Sequence, residues 1–142
     1  VTCRDEADQL RASLLDVAGL SELFKALSDE TRTKILHLVS HGELCVCDVM
    51  AALELPQSRV SRHMVYLGNS DWVTGKRKGK WVYYRLAEPA DAVQRRVLAA
   101  LRETLPDQPA ARDDYARLCA HIKAKTAATC ADSDTTRQGD GI

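Results

Sequence analysis

The chain has 142 residues, the length of one domain, and its 45% hydrophobic content is enough for a packed core. No apolar stretch approaches the ~20 residues that span a bilayer, and the charged start lacks the apolar run of a signal peptide, so we expect a cytoplasmic protein without a membrane segment. The net charge of zero is unevenly distributed, because residues 1–30 carry three basic and seven acidic side chains (net −4) and residues 57–85 carry seven basic and one acidic (net +6).

The N-terminal third of the sequence predicts helices. Apolar side chains recur at helical spacing over residues 6–26, and we expect Gly19 to divide this region into two helices. The polar run 28–31 is an N-cap signal with acidic groups, which favour the positive end of a helix, and it predicts another helix that ends at Gly42. The inward side chains of that helix are Ile35, Leu36, Leu38 and Val39.

Two shorter helices follow, joined by a tight turn. The first covers about 45–53 and ends before Pro56, because proline disfavours helical backbone in the residue that precedes it. The second starts at 57 or 58 and ends in the turn-forming segment 68–71. Its apolar positions, spaced four and three apart, are Val60, Met64 and Leu67.

The sequence period then changes from helical to strand-like. Residues 72–74 and 81–86 are rich in β-branched and aromatic side chains, and the segment GKRKGK (75–80) between them predicts a β-hairpin with a basic loop. Helices over about 89–104 and 110–126 complete a single domain of residues 1–126, mainly α with a small β-hairpin. The polar segment 127–142 lacks periodicity, and we expect it to be disordered.

A helix-turn-helix followed by a basic hairpin indicates DNA binding. The second helix carries outward donors near its N-terminus, where backbone N–H groups also suit phosphate oxygens, and the hairpin tip could follow the DNA backbone or enter the minor groove. The alternative is an ordinary helical pair with a surface hairpin. The predicted DNA-contacting residues are Gln57, Ser58, Arg59, Ser61, Arg62, His63, Lys76, Arg77, Lys78 and Lys80. The aromatic residues expected to pack within the hairpin and the core are Trp72, Trp81, Tyr83 and Tyr84.

Three segments, LFKALSDETRTKILHLV, ELCVCDVMAALELPQSRVSRHMVYL and KGKWVYYRL, resemble the ArsR/SmtB family of metal-sensing repressors, and its arsenic-responsive branch in particular. The similarity covers about residues 20–87, and ELCVCD is its most specific part. The resemblance implies a winged-helix homodimer that represses a resistance or efflux operon by binding double-stranded operator DNA and is released by its inducer. It also implies a recognition helix at about 57–68, a wing at 72–86, and dimerisation through the terminal helices 6–26 and 89–126.

Two residues depart from the family's pattern. Gly68 stands where such proteins often have Lys or Arg, so one phosphate contact is expected to be missing. Asp71 stands where they often have Gly, and Asp tolerates left-handed backbone better than most residues, at some cost.

The cysteines, at positions 3, 45, 47, 119 and 130, are expected to be thiols or metal ligands rather than disulfides, because the cytoplasm is reducing. Cys45 and Cys47 lie at the predicted start of the helix that supports the recognition helix, where a helix N-terminus lowers the pKa of a thiol. Thiolates favour soft ions. Three of them suit arsenite, whereas Zn or Cd prefers four ligands. We therefore expect As(III) or Sb(III) as inducer, with Cd(II) or Pb(II) as the alternative.

The spacing of Cys45 and Cys47 predicts a mechanism. Residues two apart on an α-helix do not face each other, so binding of one ion should unwind the first turn, shift the recognition helix and lower DNA affinity. The family's arsenic sensors read ELCVCDxC, and here the third position is Met50, a poor arsenic ligand that we expect in the core. A small oxygen or methyl group could complete a two-thiolate site. The candidates for a third thiolate are Cys3, Cys119 and Cys130.

The cysteines also admit other interpretations. A thiol enzyme would need a Gly-rich anion loop after a strand or a thioredoxin-like parallel sheet, and the sequence has neither pattern, so we expect no enzymatic activity. A winged-helix regulator that senses thiol oxidation is one alternative. A nickel or cobalt sensor of the same fold is disfavoured, because the chain contains few histidines. Asp48 is expected either to accept a hydrogen bond from the residues that hold the thiols, or to stabilise the N-terminus of the helix through its negative charge. The histidines expected at the surface or at helix caps are His37, His41 and His121.

Overall fold

The computed structural model describes the backbone of residues 16–139 and the side chains of residues 16–127. The helices are α1 (Val17–Ala26), α2 (Glu30–Val39), α3 (Val46–Leu53), α4 (Gln57–Asn69), α5 (Ala92–Thr104) and α6 (Pro109–Gly139), with a 3₁₀ turn at Leu105–Asp107. The strands are β1 (Leu44–Cys45), β2 (Val73–Lys78) and β3 (Trp81–Leu86), which form an antiparallel sheet in the order β1-β3-β2. The mainly helical fold with a small sheet confirms the predicted class. Over the described residues, no helix combines the length and apolarity needed to cross a bilayer.

Aspartate side chains fix the starts of three helices. The carboxylates of Asp16, Asp29 and Asp91 accept hydrogen bonds from backbone N–H groups three residues ahead, at 2.7, 3.1 and 2.9 Å, and so cap α1, α2 and α5. Because α1 starts at its Asp16 cap, Gly19 lies in the first turn of a continuous helix, and the expected break at Gly19 is wrong. Residues 6–15 of the predicted N-terminal helices lie outside the described residues.

An aliphatic core joins α2 and α4 to the hairpin. The four predicted inward side chains of α2 and the three of α4 are all buried, which confirms both helical patterns. Met50 is half-buried and packs against this core, as predicted. Trp72 is fully buried, and its indole N–H donates to the carbonyl of Leu23 at 2.9 Å, so the start of the wing is held against α1.

The basic segment of the hairpin is mostly strand. β2 continues to Lys78, which pairs with Trp81, so the predicted basic loop over 75–80 shrinks to the two residues Gly79 and Lys80. Gly79 has φ +64, a left-handed conformation that glycine adopts without a steric penalty and that two-residue hairpin turns favour. The wing is therefore a two-stranded ribbon with alternating faces rather than an extended basic loop.

Strand β1 was not predicted from the sequence. Leu44 pairs with Tyr84 and Cys45 pairs with Tyr83, which attaches the residues before α3 to the wing strand β3. A strand of two residues carries no period of its own, so its partner decides its conformation.

The last helix is longer than predicted. α6 continues to Gly139, whereas the sequence analysis ends it near 126 and predicts irregular structure beyond. The first part of the extension contains Ala127, Ala128 and Ala131, and alanine has the highest helix propensity, but the polar residues 132–139 have no such propensity to explain their helical backbone.

Candidate nucleic-acid interface and thiol site

The outward face of α4 carries the predicted DNA-contacting side chains of that helix. Burial of Val60, Met64 and Leu67 fixes the inner face, so the intervening polar residues point away from the core. Pro56 precedes the helix and supplies no side-chain cap, which leaves the first-turn N–H groups without a capping side chain. The exposed residues are Gln57, Ser58, Arg59 and Arg62, and the half-buried ones are Ser61 and His63.

The position of α4 is set by contacts with the start of α2. The Arg32 guanidinium lies 4.1 Å from the centre of the Tyr66 ring, and its Nε donates to the carbonyl of Ala26 at 2.7 Å. Burial lowers the pKa of His63, with nearby arginines acting in the same direction and Asp29 acting against it. The neutral form of His63 therefore predominates near neutral pH.

The wing presents basic side chains on both of its faces. Lys76 and Lys78 stand opposite Tyr83 and Trp81 and share their face, whereas Arg77 points to the other side. All four predicted wing residues, with Lys80 at the turn, are exposed.

One wing lysine is held in an ion pair. The ammonium of Lys78 lies 2.8 Å from a carboxylate oxygen of Glu43, and this hydrogen bond is the main reason that the pKa of Glu43 is lowered. Part of the charge of Lys78 is thus neutralised within the chain.

The two departures from the family pattern both lie in the turn between α4 and β2. Asp71 has φ +62, which confirms the predicted left-handed backbone. Its carbonyl accepts a hydrogen bond at 2.8 Å from the buried amide of Gln94, which ties the turn to α5. A Cβ built on Gly68 would meet nothing within 4 Å, so the fold does not require glycine there.

Cys45 and Cys47 occupy different kinds of backbone. Cys45 is the N-cap of α3, with φ −90 and ψ 170, and is only 2% exposed. Cys47 lies in the first turn of α3 and is exposed. The expectation that both lie on the helix is therefore wrong for Cys45, which belongs to strand β1.

Asp48 connects the thiol segment to α6. Its Oδ2 accepts the backbone N–H of Cys45 at 3.0 Å, while its Oδ1 lies 3.2 Å from Nζ of Lys125 and 3.0 Å from Nε2 of His121. Burial acts to raise the pKa of Asp48, but the hydrogen bonds from Cys45 and Lys125 outweigh it and hold the pKa below its ordinary value. His121 therefore packs beside the thiols, and the expectation of a surface or capping role for it is wrong.

Burial raises the pKa of the Cys45 thiol. The backbone N–H of Asp48 and the ammonium of Lys125, whose Nζ lies 3.6 Å from Sγ, oppose this effect without cancelling it. The predicted lowering at a helix N-terminus is thus wrong for Cys45, because desolvation of the thiolate is the larger effect.

An open pocket of about 260 Å³ lies where α3, β3 and α6 meet. It brings the two cysteines together with residues that the sequence analysis left out of the site. Trp81 is 52% exposed and forms part of its wall, so it pairs within the hairpin but lies outside the core. The lining residues are Cys45, Cys47, Trp81, Tyr83, His121 and Lys125.

The other cysteines are placed differently. Cys119 lies on α6 beside Tyr115, whose pKa it raises through a hydrogen bond, and it does not line the pocket. Cys3 lies outside the described residues, and Cys130 lies in the part of α6 where only the backbone is described. In the described part of the chain, no three His, Cys, Asp or Glu side chains form a ready-made metal cluster.

A sequence signal for the missed residues exists in α6. Leu118, His121 and Lys125 are spaced three and four apart, which places them on one face of a helix. Leu118 is buried in the core, so His121 and Lys125 on the same face of α6 are also expected to lie against the rest of the domain.

Known bacterial proteins are similar to this chain over the part that contains the helix-turn-helix. Residues 29–74 match the family described as "Bacterial regulatory protein, arsR family". The "Arsenical resistance operon repressor" of Escherichia coli is 49% identical over 67 residues, which cover 46% of this chain and 57% of that protein. The "Arsenic resistance transcriptional regulator ArsR1" of Pseudomonas putida is 43% identical over 91 residues, covering 60% of this chain and 71% of that protein. A "Cadmium resistance transcriptional regulatory protein CadC homolog" of Staphylococcus aureus is 42% identical, covering 58% and 67%.

Solved structures agree on the fold. Reduced HlyU from Vibrio cholerae is 28% identical, with a TM-score of 0.54 over 61% of this chain and 87% of that one. The homodimeric winged helix-turn-helix DNA-binding domain of Mb0332 from Mycobacterium bovis is 22% identical, with a TM-score of 0.54 over 77% and 93%, and supports the fold alone. The chain therefore belongs to the arsR family of bacterial regulatory proteins and has a winged helix-turn-helix fold.

Proposed function

We propose that this regulator is a cytoplasmic, homodimeric repressor that binds operator DNA and leaves it when arsenite or antimonite binds the thiolates of Cys45 and Cys47. The observation that carries the proposal is the position of this cysteine pair at the junction of the wing sheet and α3, the helix that supports α4. The family match over residues 29–74 includes this segment, and relatives named for arsenical resistance support an arsenic response.

The ligand set follows from the chemistry of the pocket. Thiolates are preferred ligands of soft ions, and the exposed Cys47 is the natural first contact. Cys45 must then leave its capping position to reach the same ion. For a third ligand we propose Cys3, or a small oxygen ligand, ahead of Cys119, because Cys119 lies beside Tyr115 and not in the pocket.

The coupling to DNA follows two contacts of Cys45. Its backbone pairs with Tyr83 of the wing, and its N–H is bound by Asp48, which also holds Lys125 of α6. Displacement of Cys45 by an arsenic–sulfur bond breaks or bends both connections. The inducer-bound state therefore differs in its wing and its terminal helix, and an inducer that prefers this state lowers DNA affinity.

For the DNA complex we propose that the exposed N-terminal half of α4 enters the major groove and that the wing contacts phosphates. Arg59 and Arg62 point outward from α4 together with Gln57 and Ser58, which supports base contacts from this segment. The ion pair of Lys78 with Glu43 makes Lys76, Arg77 and Lys80 the stronger phosphate ligands of the wing.

The dimer we propose forms through the terminal helices. These helices carry large apolar side chains that are exposed in the single chain. Monomeric proteins seldom expose such side chains as one contiguous group. These residues are Val17 and Phe24 of α1, Val93 of α5, and Tyr115 and Ile122 of α6.

A cadmium response is the second candidate. His121 lines the thiol pocket, and sulfur with imidazole suits a four-coordinate ion of this kind. A relative named for cadmium resistance supports this alternative. A thiol-oxidation sensor is less favoured, because the burial and raised pKa of Cys45 slow its reaction with oxidants.

The test begins with operator fragments selected by the protein from a random duplex pool. Fluorescence anisotropy then follows release of the labelled duplex during arsenite titration of the parent, of C45S/C47S, and of the matched control C119S. We expect release from the parent and C119S, and retention of DNA by C45S/C47S. Release of C45S/C47S at the same arsenite concentration as the parent would refute the proposal. Cadmium titration of His121→Ala separates the second candidate, since that variant should lose only a cadmium response.

A further inference from the structure

A second cluster of potential ligands lies between α2 and the start of α6. His37 is only 5% exposed, whereas His41, one helical turn further on, is exposed. Their Nε2 atoms lie 3.3 Å apart. None of the residues around this pair lines the thiol pocket.

The separation of the two nitrogens suits a metal ion. With Zn–N bonds of about 2.0–2.1 Å and a tetrahedral angle, two ligand nitrogens are about 3.3–3.4 Å apart. The pair borders an open cavity of about 390 Å³, which leaves room for water to complete the coordination. The other lining residues are Ser40, Arg102 and Pro106.

Arg102 borders the same cavity as the two imidazoles, and its charge opposes a bound cation.

Asp114 is the carboxylate that acts on His37, and it is already paired within the chain. Its Oδ1 accepts a hydrogen bond from the Arg117 guanidinium at 2.6 Å, and its Oδ2 lies 3.8 Å from Nζ of Lys34. The ring of Tyr115 lies 4.3 Å from that of His41, between centres, and limits the rotation of this imidazole.

We propose that His37 and His41 form a second metal site, which takes a divalent ion with a preference for imidazole, such as Zn(II) or Co(II), with water as the remaining ligands. The site is separate from the one proposed for arsenite, because it shares no lining residue with the thiol pocket.

The test uses the full-length C45S/C47S variant, whose DNA binding verifies that it is folded. Co(II) is titrated and followed by its visible absorption, and Zn(II) is then added as a competitor. We expect one tetrahedral Co(II) per chain without sulfur-to-cobalt charge-transfer bands. Adding His41→Gln should weaken binding by about ten-fold or more, because one of two protein ligands is lost, while the control Glu88→Gln, at an exposed position outside both pockets, should leave it unchanged.

Two results would overturn the proposal. One is the absence of stoichiometric Co(II) binding, and the other is unchanged affinity in the His41→Gln variant, which would mean that His37 and His41 only share a hydrogen bond. His41 is exposed, so its replacement tests the site even if variants of the buried His37 fail to fold.

Discussion

Cys45 and Cys47 are separated by one residue, yet their environments give them different roles. The thiol of Cys45 is buried, accepts a contact from Lys125 and has a raised pKa, whereas Cys47 is exposed. An incoming ion or alkylating agent meets Cys47 first. Capture by Cys45 requires local opening of the segment between β1 and α3.

This difference predicts the order of thiol reactivity. Under limiting iodoacetamide at neutral pH, Cys47 should be modified about ten-fold or more faster than Cys45, because the thiolate is the reactive form and access limits the buried thiol. Mass spectrometry of peptides from partly labelled protein measures both rates. Lys125→Met should slow Cys45 further and leave Cys47 unaffected, since Lys125 opposes the rise in the pKa of Cys45. Equal rates at the two cysteines would contradict this assignment.

The left-handed Asp71 is a second feature of single-residue scale. Glycine at this position should raise the free energy of unfolding by about 0.5 kcal/mol, since it has no Cβ in the strained region. Valine should lower it by about 1–2 kcal/mol, because β-branched residues tolerate this backbone least. Urea denaturation measures both changes. Gly68→Ala, at an open position within α4, is a comparison of opposite kind, since alanine should raise stability there through helix propensity. A Gly variant less stable than the Val variant would rule out backbone strain as the cause.

At the scale of elements, the contact between α3 and α6 depends on one carboxylate. Asp48 is buried and receives hydrogen bonds from the Cys45 backbone and from Lys125, so the amide in Asp48→Asn weakens both ends of this connection. We expect the substitution to lower the free energy of unfolding at neutral pH by about 1–3 kcal/mol. Asp113→Asn, at an exposed position of α6, serves as the control and should have little effect.

The same carboxylate has a defined pH dependence. The pKa of Asp48 is lower in the folded chain than its ordinary value of 3.8, so its contribution to stability is complete above that value and is lost as the pH falls through the lower, folded value. The difference between the parent and Asp48→Asn should therefore be constant from pH 7 to about pH 5 and shrink below pH 4. Urea denaturation across this range gives the profile. A difference that grows on acidification would contradict the lowered pKa.

The elements that could be predicted from sequence are those whose burial pattern is local. α2, α4 and the hairpin follow from side chains such as Ile35, Val60 and Trp72, whose spacing matches the face that the fold buries. β1 could not be predicted, because its two residues become a strand only by pairing with Tyr83 and Tyr84.

The candidate site was predictable only in part, for a similar reason. Cys45 and Cys47 were identified from their spacing and motif, but His121 and Lys125 lie more than seventy residues away and reach Asp48 only in the folded chain. The pKa of Cys45 depends on burial, which the sequence around it does not encode. The position at a helix N-terminus, taken alone, therefore predicts a lowered pKa for Cys45, which is the wrong direction.

At the scale of the whole molecule, the exposed large apolar residues fall on the terminal helices, on the wing and on α4. Phe24 and Ile122 belong to the first group, the one on the terminal helices, whereas Val65 lies on α4, the helix proposed to contact DNA. A charged residue in the first group should disrupt the proposed dimer, because a buried unpaired charge is costly.

This division gives a direct test. Sedimentation velocity should show that Phe24→Glu and Ile122→Glu shift the dimer to a monomer at micromolar concentration. Val65→Glu, an equal change in charge and polarity at an exposed residue of α4, should stay dimeric. Monomeric parent protein, or dissociation of Val65→Glu alone, would place the interface elsewhere.

The two tryptophans sit in opposite surroundings, and this gives the regulator an internal optical signal. Trp72 is enclosed and hydrogen-bonded, so its fluorescence should be blue-shifted and insensitive to events in solvent. Trp81 borders the cysteine pair and is half open to water, so its emission should be quenched when a heavy ion is captured there. Emission at the long-wavelength edge of the spectrum, which comes mainly from Trp81, can therefore be used to follow inducer binding in real time without a label. Emission at the short-wavelength edge, which comes mainly from Trp72, reports whether the core is intact.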